Sequence, residues 1–415
     1  MLKAFVARFG AALAYEDFRA LWTANAFAQA AAWGLIVTRG WLIYQETESS
    51  FLVGVATFAA LGPQFIVPPI IGVLADRMDR RTILSWTYGV NSVQNGLLAV
   101  LALTGALEIW MLIALSVVNG VARSAQMPTS QAMSASLVPK EKLLNALSLQ
   151  ASTQHGSRLI GPGLVTPLLA IAGAPAGFIV CTVFYLIGWV KVLGITPRAP
   201  ERSIQESFVA NFVGGLTYVY SRPVLRFILV LVFFHCGLTM AFESLLPTFS
   251  HERLNAEQGF GTLLMGVGAG SFVASVFVSG IQTSKARGNV MILMGIASGL
   301  GQVLLSLTTS LVLAFGAAMI MGGAQAAFMT MGQAVTQSIA ADEYRGRIAS
   351  INTFSLGGIM ATMNLTNGTL GDYFGAQALL FAEGMIFVSI MVVSFFLFTG
   401  RRVYGRVPTL EAQTA

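Results

Sequence analysis

Basic residues alternate with apolar stretches along this chain, and this alternation constrains the fold more than any other feature of the sequence. Of the 24 Lys and Arg residues, twenty lie in the two termini or in every second connection between a dozen apolar stretches. The intervening connections contain only Arg253. Because the cytoplasmic loops of membrane proteins carry an excess of Lys and Arg, the pattern predicts an even number of membrane spans with both termini in the cytoplasm.

The composition is typical of an integral membrane protein. Hydrophobic residues make up 55% of the 415 residues and charged residues only 10%, whereas about a quarter of the residues in soluble domains are charged. The basic residues are scattered over short connections without interleaved aromatic residues, which argues against nucleic-acid binding. The two cysteines and three histidines are also scattered, and no phosphate-binding glycine motif occurs. We therefore expect no metal site, no cofactor and no enzymatic activity.

Twelve stretches have the roughly 20 apolar residues that a membrane-spanning helix needs. These predicted spans 1 to 12 lie at 18–45, 51–75, 82–104, 108–136, 145–172, 176–196, 223–248, 258–281, 288–308, 311–338, 348–371 and 376–399. The longest cytoplasmic connection divides them into two halves. The predicted domains are an N-terminal six-helix bundle at 1–196, a cytoplasmic connection at 197–222, a C-terminal six-helix bundle at 223–400 and a cytoplasmic tail at 401–415.

The two halves are related by an internal repeat. A shift of the chain by 202 residues aligns span 4 with span 10 without a gap. The matched pairs include Gly120 with Gly322 and Glu141 with Glu343. A parallel repeat of six plus six spans is typical of secondary transporters, whose substrate path lies between the halves near the middle of the membrane.

A small residue, an acid and a basic cluster follow one another at the predicted cytoplasmic end of span 2. They are Gly72, Asp76, Arg77, Arg80 and Arg81. The carboxylate of Asp76 can accept hydrogen bonds from the N-terminal amides of a neighbouring span, while Arg80 and Arg81 can anchor to anionic headgroups. The motif resembles motif A of the major facilitator superfamily, where this contact latches the cytoplasmic side shut in the outward-open state.

The resemblance extends over the whole chain. Segments at 40–44, 138–141, 158–162 and 342–347 are similar to the secretion-effector branch that includes the enterobactin exporter and some drug–proton antiporters. The resemblance implies the major facilitator fold, an all-α integral membrane protein with twelve transmembrane helices in two six-helix bundles. It also implies a central cavity lined by spans 1, 4, 7 and 10. We expect a monomer that is embedded in the lipid of a bacterial inner membrane.

Polar residues inside apolar spans are costly, and they usually face a cavity or a partner. On spans 1, 4 and 5 they recur at helical spacing and share a face, and Gln325 on span 10 stands at the repeat position of Arg123. The predicted substrate residues are Asn25, Gln29, Arg39, Asn119, Arg123, Gln126, Gln154, Arg158 and Gln325. The arginines favour an anionic substrate, although Arg123 could instead brace Asp76.

Three further residues are candidates for proton coupling. Glu243 is the leading candidate because it shares a face of span 7 with His235, and Glu383 on span 12 is the other acid inside a span. Without a nucleotide-binding motif, the energy for transport must come from an ion gradient or from the substrate gradient. We therefore expect an exporter that exchanges protons for a small amphiphilic or anionic molecule, such as a siderophore, a natural product or a drug. A proton-coupled uptake symporter and a lipid flippase remain alternatives.

Overall fold

The structure is a computed structural model, and its described ranges contain α-helices and no β-strand. Those ranges are 11–65, 67, 78–197, 208–278, 280, 281, 283–397, 400 and 403. The helices are α1 Glu16–Thr47, α2 Ser50–Leu61, α3 Arg80–Leu103, α4 Ile109–Leu137, α5 Lys140–Leu193, α6 Phe208–Tyr220, α7 Pro223–Leu238, α8 Leu246–Glu252, α9 Gly259–Val278, α10 Ser284–Leu307, α11 Leu311–Ile339, α12 Asp342–Phe374 and α13 Ala376–Phe396.

Seven of the described helices are long and apolar enough to cross a membrane. An eighth span results if α6 and α7, which meet at an angle of 111°, are one bent span. The remaining helices fall below these limits of length or hydropathy. An all-helical, multi-pass membrane protein is therefore confirmed, while twelve spans with cytoplasmic termini stay a prediction.

The chain divides into two compact units. Unit 1 comprises Met1–Glu46 and Ala59–Ile204, and unit 2 comprises Thr47–Phe58 and Gln205–Ala415. Most of α2 thus belongs to unit 2, although the rest of that unit follows it in the sequence by about 150 residues. Unit 1 contains α1, the end of α2, and α3 to α5.

The helix α5 is bent where two spans were predicted to meet. Its 54 residues are too many for one membrane crossing, which needs roughly 20. Gly173 interrupts the helical backbone with φ 67° and ψ −166°, a conformation that glycine adopts without a steric penalty. The predicted connection between residues 172 and 176 is therefore present as a kink inside a helix.

Close packing of α1 against α5 in unit 1 depends on glycine. A Cβ atom added to Gly161 would lie 2.3 Å from the carbonyl oxygen of Ala30, which is well inside van der Waals contact. Small residues allow helix backbones to approach closely inside membranes, where no hydrophobic effect drives helices together. The position of α1, which contributes to the cavity described below, thus depends on the close approach at Gly161.

The first turn of α2 is attached to the end of α12 within unit 2. The carboxylate of Asp372 accepts hydrogen bonds from Ser50 N at 2.7 Å, from Ser49 Oγ at 2.8 Å and from Phe51 N at 3.2 Å. These backbone amides have no partner inside α2, because the first N–H groups of a helix lack a preceding carbonyl. The acid of one helix therefore caps the N-terminus of another.

Span 7 is not the continuous helix that the sequence predicted over 223–248. The helix α7 ends at Leu238 and α8 begins at Leu246, so residues 239–245 form a non-helical break. Pro247 lies in the first turn of α8, where proline fits because its missing N–H is not needed. Hydropathy alone did not reveal the break, because the segment is apolar on both sides of it.

Candidate functional site

Unit 1 contains a cavity bounded by α1, α4 and α5. Its lining residues are Trp22, Asn25, Gln29, Arg123, Gln126, Met127, Ser130, Gln131, Gln150, Thr153 and Gln154. Six of these side chains are carboxamides, and Arg123 is the only charged one among them. Carboxamides both donate and accept hydrogen bonds, so the wall suits hydroxyl and carbonyl groups together with one anionic group.

Helical spacing explains why these residues meet. Asn25 and Gln29 lie one turn apart on α1, and Gln150 and Gln154 lie one turn apart on α5. Residues at i and i+4 share a face of a helix, so each helix turns a polar stripe toward the cavity. Five of the nine predicted substrate residues line it, namely Asn25, Gln29, Arg123, Gln126 and Gln154.

Arg123 is the charged group of this cavity. Its side chain is half-buried, and within the described part of the chain its guanidinium makes neither a hydrogen bond nor an ion pair. A cation in a low-dielectric surrounding is costly without a partner. The cavity is therefore suited to a ligand that brings an anionic group. Whether Arg123 also braces Asp76 stays open, because Asp76 lies outside the described residues.

Tyr88 fixes the orientation of two amides in the cavity wall, and it was not among the predicted site residues. Its hydroxyl donates to Asn25 Oδ1 at 2.9 Å and accepts from Gln126 Nε2 at 3.2 Å. Asn25 Nδ2 in turn donates to the hydroxyl of Ser130. Tyr88 is fully buried on α3, a helix that was not expected to contribute to the cavity, and a single tyrosine in an apolar helix has no recognisable pattern.

Arg39 lies away from the cavity, in the interior of unit 1. Its Nη1 donates to Ser116 Oγ at 2.7 Å and its Nη2 donates to Asn119 Oδ1 at 3.2 Å. Asn119 Nδ2 continues the chain of hydrogen bonds to Asn91 Oδ1 at 2.6 Å. These partners are neutral, and Arg39 is only 4% exposed. The arrangement holds α1, α3 and α4 together through a buried polar network.

Arg158 also lies outside the cavity lining. Its guanidinium carbon stands 4.5 Å from the centroid of the Trp33 ring, a geometry in which the ring face attracts the cation. Arg158 is 8% exposed. Among the three arginines that favoured an anionic substrate, the structure therefore brings only Arg123 to the cavity.

The basic motif after span 2 is described only in part, because Gly72, Asp76 and Arg77 lie outside the described residues. Arg80 Nη1 donates to the carbonyl of Ala132 at 3.3 Å. Arg81 Nε donates to the carbonyl of Val192 at 3.4 Å, and its Nη2 donates to the carbonyl of Leu193. A cation is stabilised at the last carbonyls of a helix. Arg81 therefore ties the start of α3 to the end of α5, a contact that the sequence did not predict.

In unit 2, amide side chains from three helices hold the backbone of the break after α7. The four contacts are Gln302 Nε2 to Leu238 O at 3.0 Å, Gln325 Nε2 to Thr239 O, Asn367 Nδ2 to Ala241 O at 2.9 Å, and Ser244 N to Asn364 Oδ1 at 3.0 Å. Non-helical backbone inside a membrane is tolerated only where the protein satisfies its polar groups. The amide side chains satisfy the polar backbone groups of the break by hydrogen bonding to them. Gln325, predicted as a substrate residue, is one of them.

The three predicted proton-coupling residues are all buried in unit 2. Glu243 lies in the break and is 3% exposed, while Glu383 on α13 is 6% exposed. Glu383 Oε2 accepts a hydrogen bond from Gln302 Nε2 at 3.3 Å. His235 Nδ1 lies 2.7 Å from Thr239 Oγ1, and its ring packs on Phe387, one turn from Glu383, with centroids 5.1 Å apart. Among the described residues, no three His, Cys, Asp or Glu side chains come together as metal ligands would.

Comparison with known proteins identifies the family. The model of the transmembrane secretion effector family matches residues 9–403. The multidrug efflux pump Tap of Mycolicibacterium fortuitum is 24% identical over 87% of this chain and 91% of its own length. The enterobactin exporter EntS of Shigella boydii serotype 4 (strain Sb227) is 24% identical over 79% of this chain and 77% of its own length.

Solved structures agree on the fold. A POT family transporter in complex with 5-aminolevulinic acid superposes with a TM-score of 0.73 at 12% identity, covering 91% of this chain and 94% of the other. At this identity the similarity bears on the fold alone. The family match, in contrast, spans nearly the whole sequence. The chain therefore belongs to the transmembrane secretion effector family of the major facilitator superfamily, and it is a transporter rather than an enzyme.

Proposed function

We propose that this transporter exports a small anionic or amphiphilic molecule from the bacterial cytoplasm in exchange for protons, by alternating access. The proposal includes twelve transmembrane helices, cytoplasmic termini, and two bundles at 1–196 and 223–400 that are joined by the connection 197–222. The relatives whose names describe efflux support the direction of transport. The observation that carries the substrate class is the cavity of unit 1, where one arginine stands among six carboxamides.

In this proposal the cavity binds its ligand through two kinds of contact. Arg123 pairs with a carboxylate, phenolate or similar anion, and a charge-assisted hydrogen bond of this kind is stronger than a neutral one. Gln29, Gln131 and Gln154 bind hydroxyl and carbonyl groups, while Trp22 offers an apolar face. The lining residues contain no acid, so a ligand that is recognised through a positive charge fits this wall poorly.

Proton coupling is assigned to the buried acids of unit 2. A charged carboxylate is costly inside a membrane protein, so Glu243 and Glu383 can take up a proton in one state of the transport cycle and release it in another. His235, whose ring packs on Phe387 one turn from Glu383, is the third candidate. The Asp76 motif keeps its proposed role as the latch of the cytoplasmic side, with Arg80 and Arg81 beside it.

Everted membrane vesicles provide the test. Vesicles from cells that express the protein are energised to an acidic interior, and enterobactin and a macrolide are added as probes suggested by the relatives. We expect the anionic probe to dissipate the proton gradient, and Arg123→Gln to abolish that response while Arg123→Lys keeps part of it.

Other outcomes would contradict the proposal in different ways. A gradient that dissipates with the macrolide alone would overturn the assignment of an anionic substrate. Proton movement in the opposite direction would identify an uptake symporter. Relocation of a labelled lipid between leaflets, without any response to either probe, would identify a flippase.

A further inference from the structure

One amide in unit 2 connects a buried acid to the broken helix. Gln302 on α10 is fully buried, and its Nε2 donates toward three acceptors on two other helices. They are Leu238 O at 3.0 Å, Leu380 O at 3.3 Å and Glu383 Oε2 at 3.3 Å. Leu238 is the last residue of α7 before the break. Gln302, the side chain that faces the carboxylate of Glu383, therefore also donates to the last backbone carbonyl of α7.

A second amide repeats this arrangement. The side chain of Asn367 on α12 lies near Glu383, and Asn367 Nδ2 donates to Ala241 O inside the break at 2.9 Å. Both amides near Glu383 thus also bind backbone carbonyls, Gln302 at the end of α7 and Asn367 inside the break. Gln325 and Asn364 hold two further backbone groups of the break.

The oxygen of the Gln302 amide makes this contact sensitive to the protonation state of Glu383. Gln302 Oε1 is buried, and within the described ranges it has no hydrogen-bond partner. An ionised carboxylate can only accept hydrogen bonds, whereas a protonated carboxyl also donates one. When Glu383 is ionised, Nε2 of Gln302 must face it. When Glu383 is protonated, its O–H requires an acceptor, and Gln302 Oε1 is a buried acceptor that lacks a donor.

We propose that Gln302 is a positioning residue that transmits the protonation state of Glu383 to the break after α7. Proton uptake by Glu383 turns the Gln302 amide by half a rotation, so that Oε1 accepts the new O–H. The carbonyl of Leu238 then loses its donor, and residues 239–245, which include Glu243, are held less tightly. This inference rests on the proposed function only in assigning proton uptake to Glu383.

The experiment must distinguish the titration of Glu383 from the titration of other groups near it. Of the described helices packed against α13, α7 carries the exposed Arg226 and the buried His235 and Cys236, and the break that follows it contains the buried Glu243. His251 and Glu252 on α8 are exposed. The charged residues of α10 lie in its first turn, and those of α12 lie in its first two turns and its last turn. His235 is therefore the group whose titration must be excluded by an experiment, since it contacts α13 at Phe387.

Hydrogen exchange of residues 239–245 in the full-length protein, reconstituted in lipid nanodiscs, tests the switch. After correction for the intrinsic effect of pH, exchange in the wild type should accelerate about tenfold as pH falls, which corresponds to the loss of one hydrogen bond. Glu383→Gln and Gln302→Leu should each make the exchange fast and independent of pH. The double variant should exchange no faster than either single variant, because both remove the same contact.

Two matched variants serve as controls. Gln325→Leu removes another amide that holds the break, so it should accelerate exchange but keep the dependence on pH. His235→Asn should also keep that dependence. Gln302→Met replaces Gln302→Leu if the latter fails to fold, as judged by size-exclusion chromatography. A wild type without pH dependence, a Gln302 variant that retains it, or a His235→Asn variant that loses it would each overturn the proposal.

The experiment separates this inference from the proposed function. Hydrogen exchange of the break could depend on pH and require Glu383 and Gln302 while membrane vesicles show no proton movement. That result would support the switch and refute proton-coupled export. Proton-coupled export with a break that is insensitive to pH would refute the switch alone.

Discussion

Replacing Asp372 by alanine should loosen the first turn of α2 from the end of α12 within unit 2. The carboxylate accepts three hydrogen bonds from Ser49, Ser50 and Phe51 at the start of α2. Loss of an N-terminal cap costs about 0.5–2 kcal/mol, and loss of a negative charge near the positive end of a helix costs about 0.3–1 kcal/mol. Because Asp372 is exposed to solvent, we expect both free-energy costs to lie in the lower part of their ranges. Together they amount to about 1.4 kcal/mol.

This free energy corresponds to about a tenfold increase in local opening. Hydrogen exchange of residues 50–54 in the reconstituted protein measures it directly, and exchange of α9 and α11 provides an internal reference. Asp372→Asn should lie between the wild type and Asp372→Ala, because asparagine keeps one acceptor oxygen. Glu48→Ala removes an exposed acid two residues before α2 and is the matched control for charge alone.

Two results would refute this reasoning. Unchanged exchange at residues 50–54 in Asp372→Ala would mean that the carboxylate contributes no net stability to the turn. Equal acceleration in Glu48→Ala would mean that a general electrostatic effect, and not the capping contact, holds it.

Three further predictions concern unit 1. Arg123→Gln should weaken binding of an anionic substrate by about tenfold to a hundredfold, the value of a charge-assisted hydrogen bond, and binding to the purified protein measures it. Tyr88→Phe leaves Asn25 Oδ1 without its donor, so we expect a raised KM for transport with little change in maximal rate; a changed rate at constant KM would contradict this. Gly161→Ala forces α1 and α5 apart and should destabilise the protein by about 1–3 kcal/mol or more in thermal unfolding, whereas Gly316→Ala, which meets no neighbouring atom, should not.

The sequence was sufficient for those parts of the structure that depend on local pattern. Helical spacing of polar residues identified Asn25, Gln29, Arg123, Gln126 and Gln154 as one wall, and all five line the cavity. Arg39 at the end of the same stripe does not line this cavity and instead donates to buried acceptors on α4. Periodicity reports which face of a helix a residue occupies, but it does not report what lies opposite that face.

The contributions of other helices could not be predicted in the same way. Tyr88 acts on the cavity from α3 because its hydroxyl meets Asn25 and Gln126, which are 63 and 38 residues away in the chain. Such a contact depends on how three helices pack, and its sequence signal is a single aromatic residue. The same limit applies to Arg81, whose partners are the last carbonyls of α5.

The break after α7 shows why a hydropathy pattern can miss a functional feature. An interrupted helix leaves backbone groups without partners, and inside a membrane each such group costs several kcal/mol. The segment contains no sequence feature that would offset this cost. Its apolar flanks would suit a continuous helix equally well. The compensation comes from Gln302, Gln325, Asn364 and Asn367, which lie between 64 and 126 residues away along the chain. Buried amides on three separate helices were therefore the sequence signal for the break, because a buried polar side chain needs a hydrogen-bond partner and the unpaired backbone groups of the break supply one.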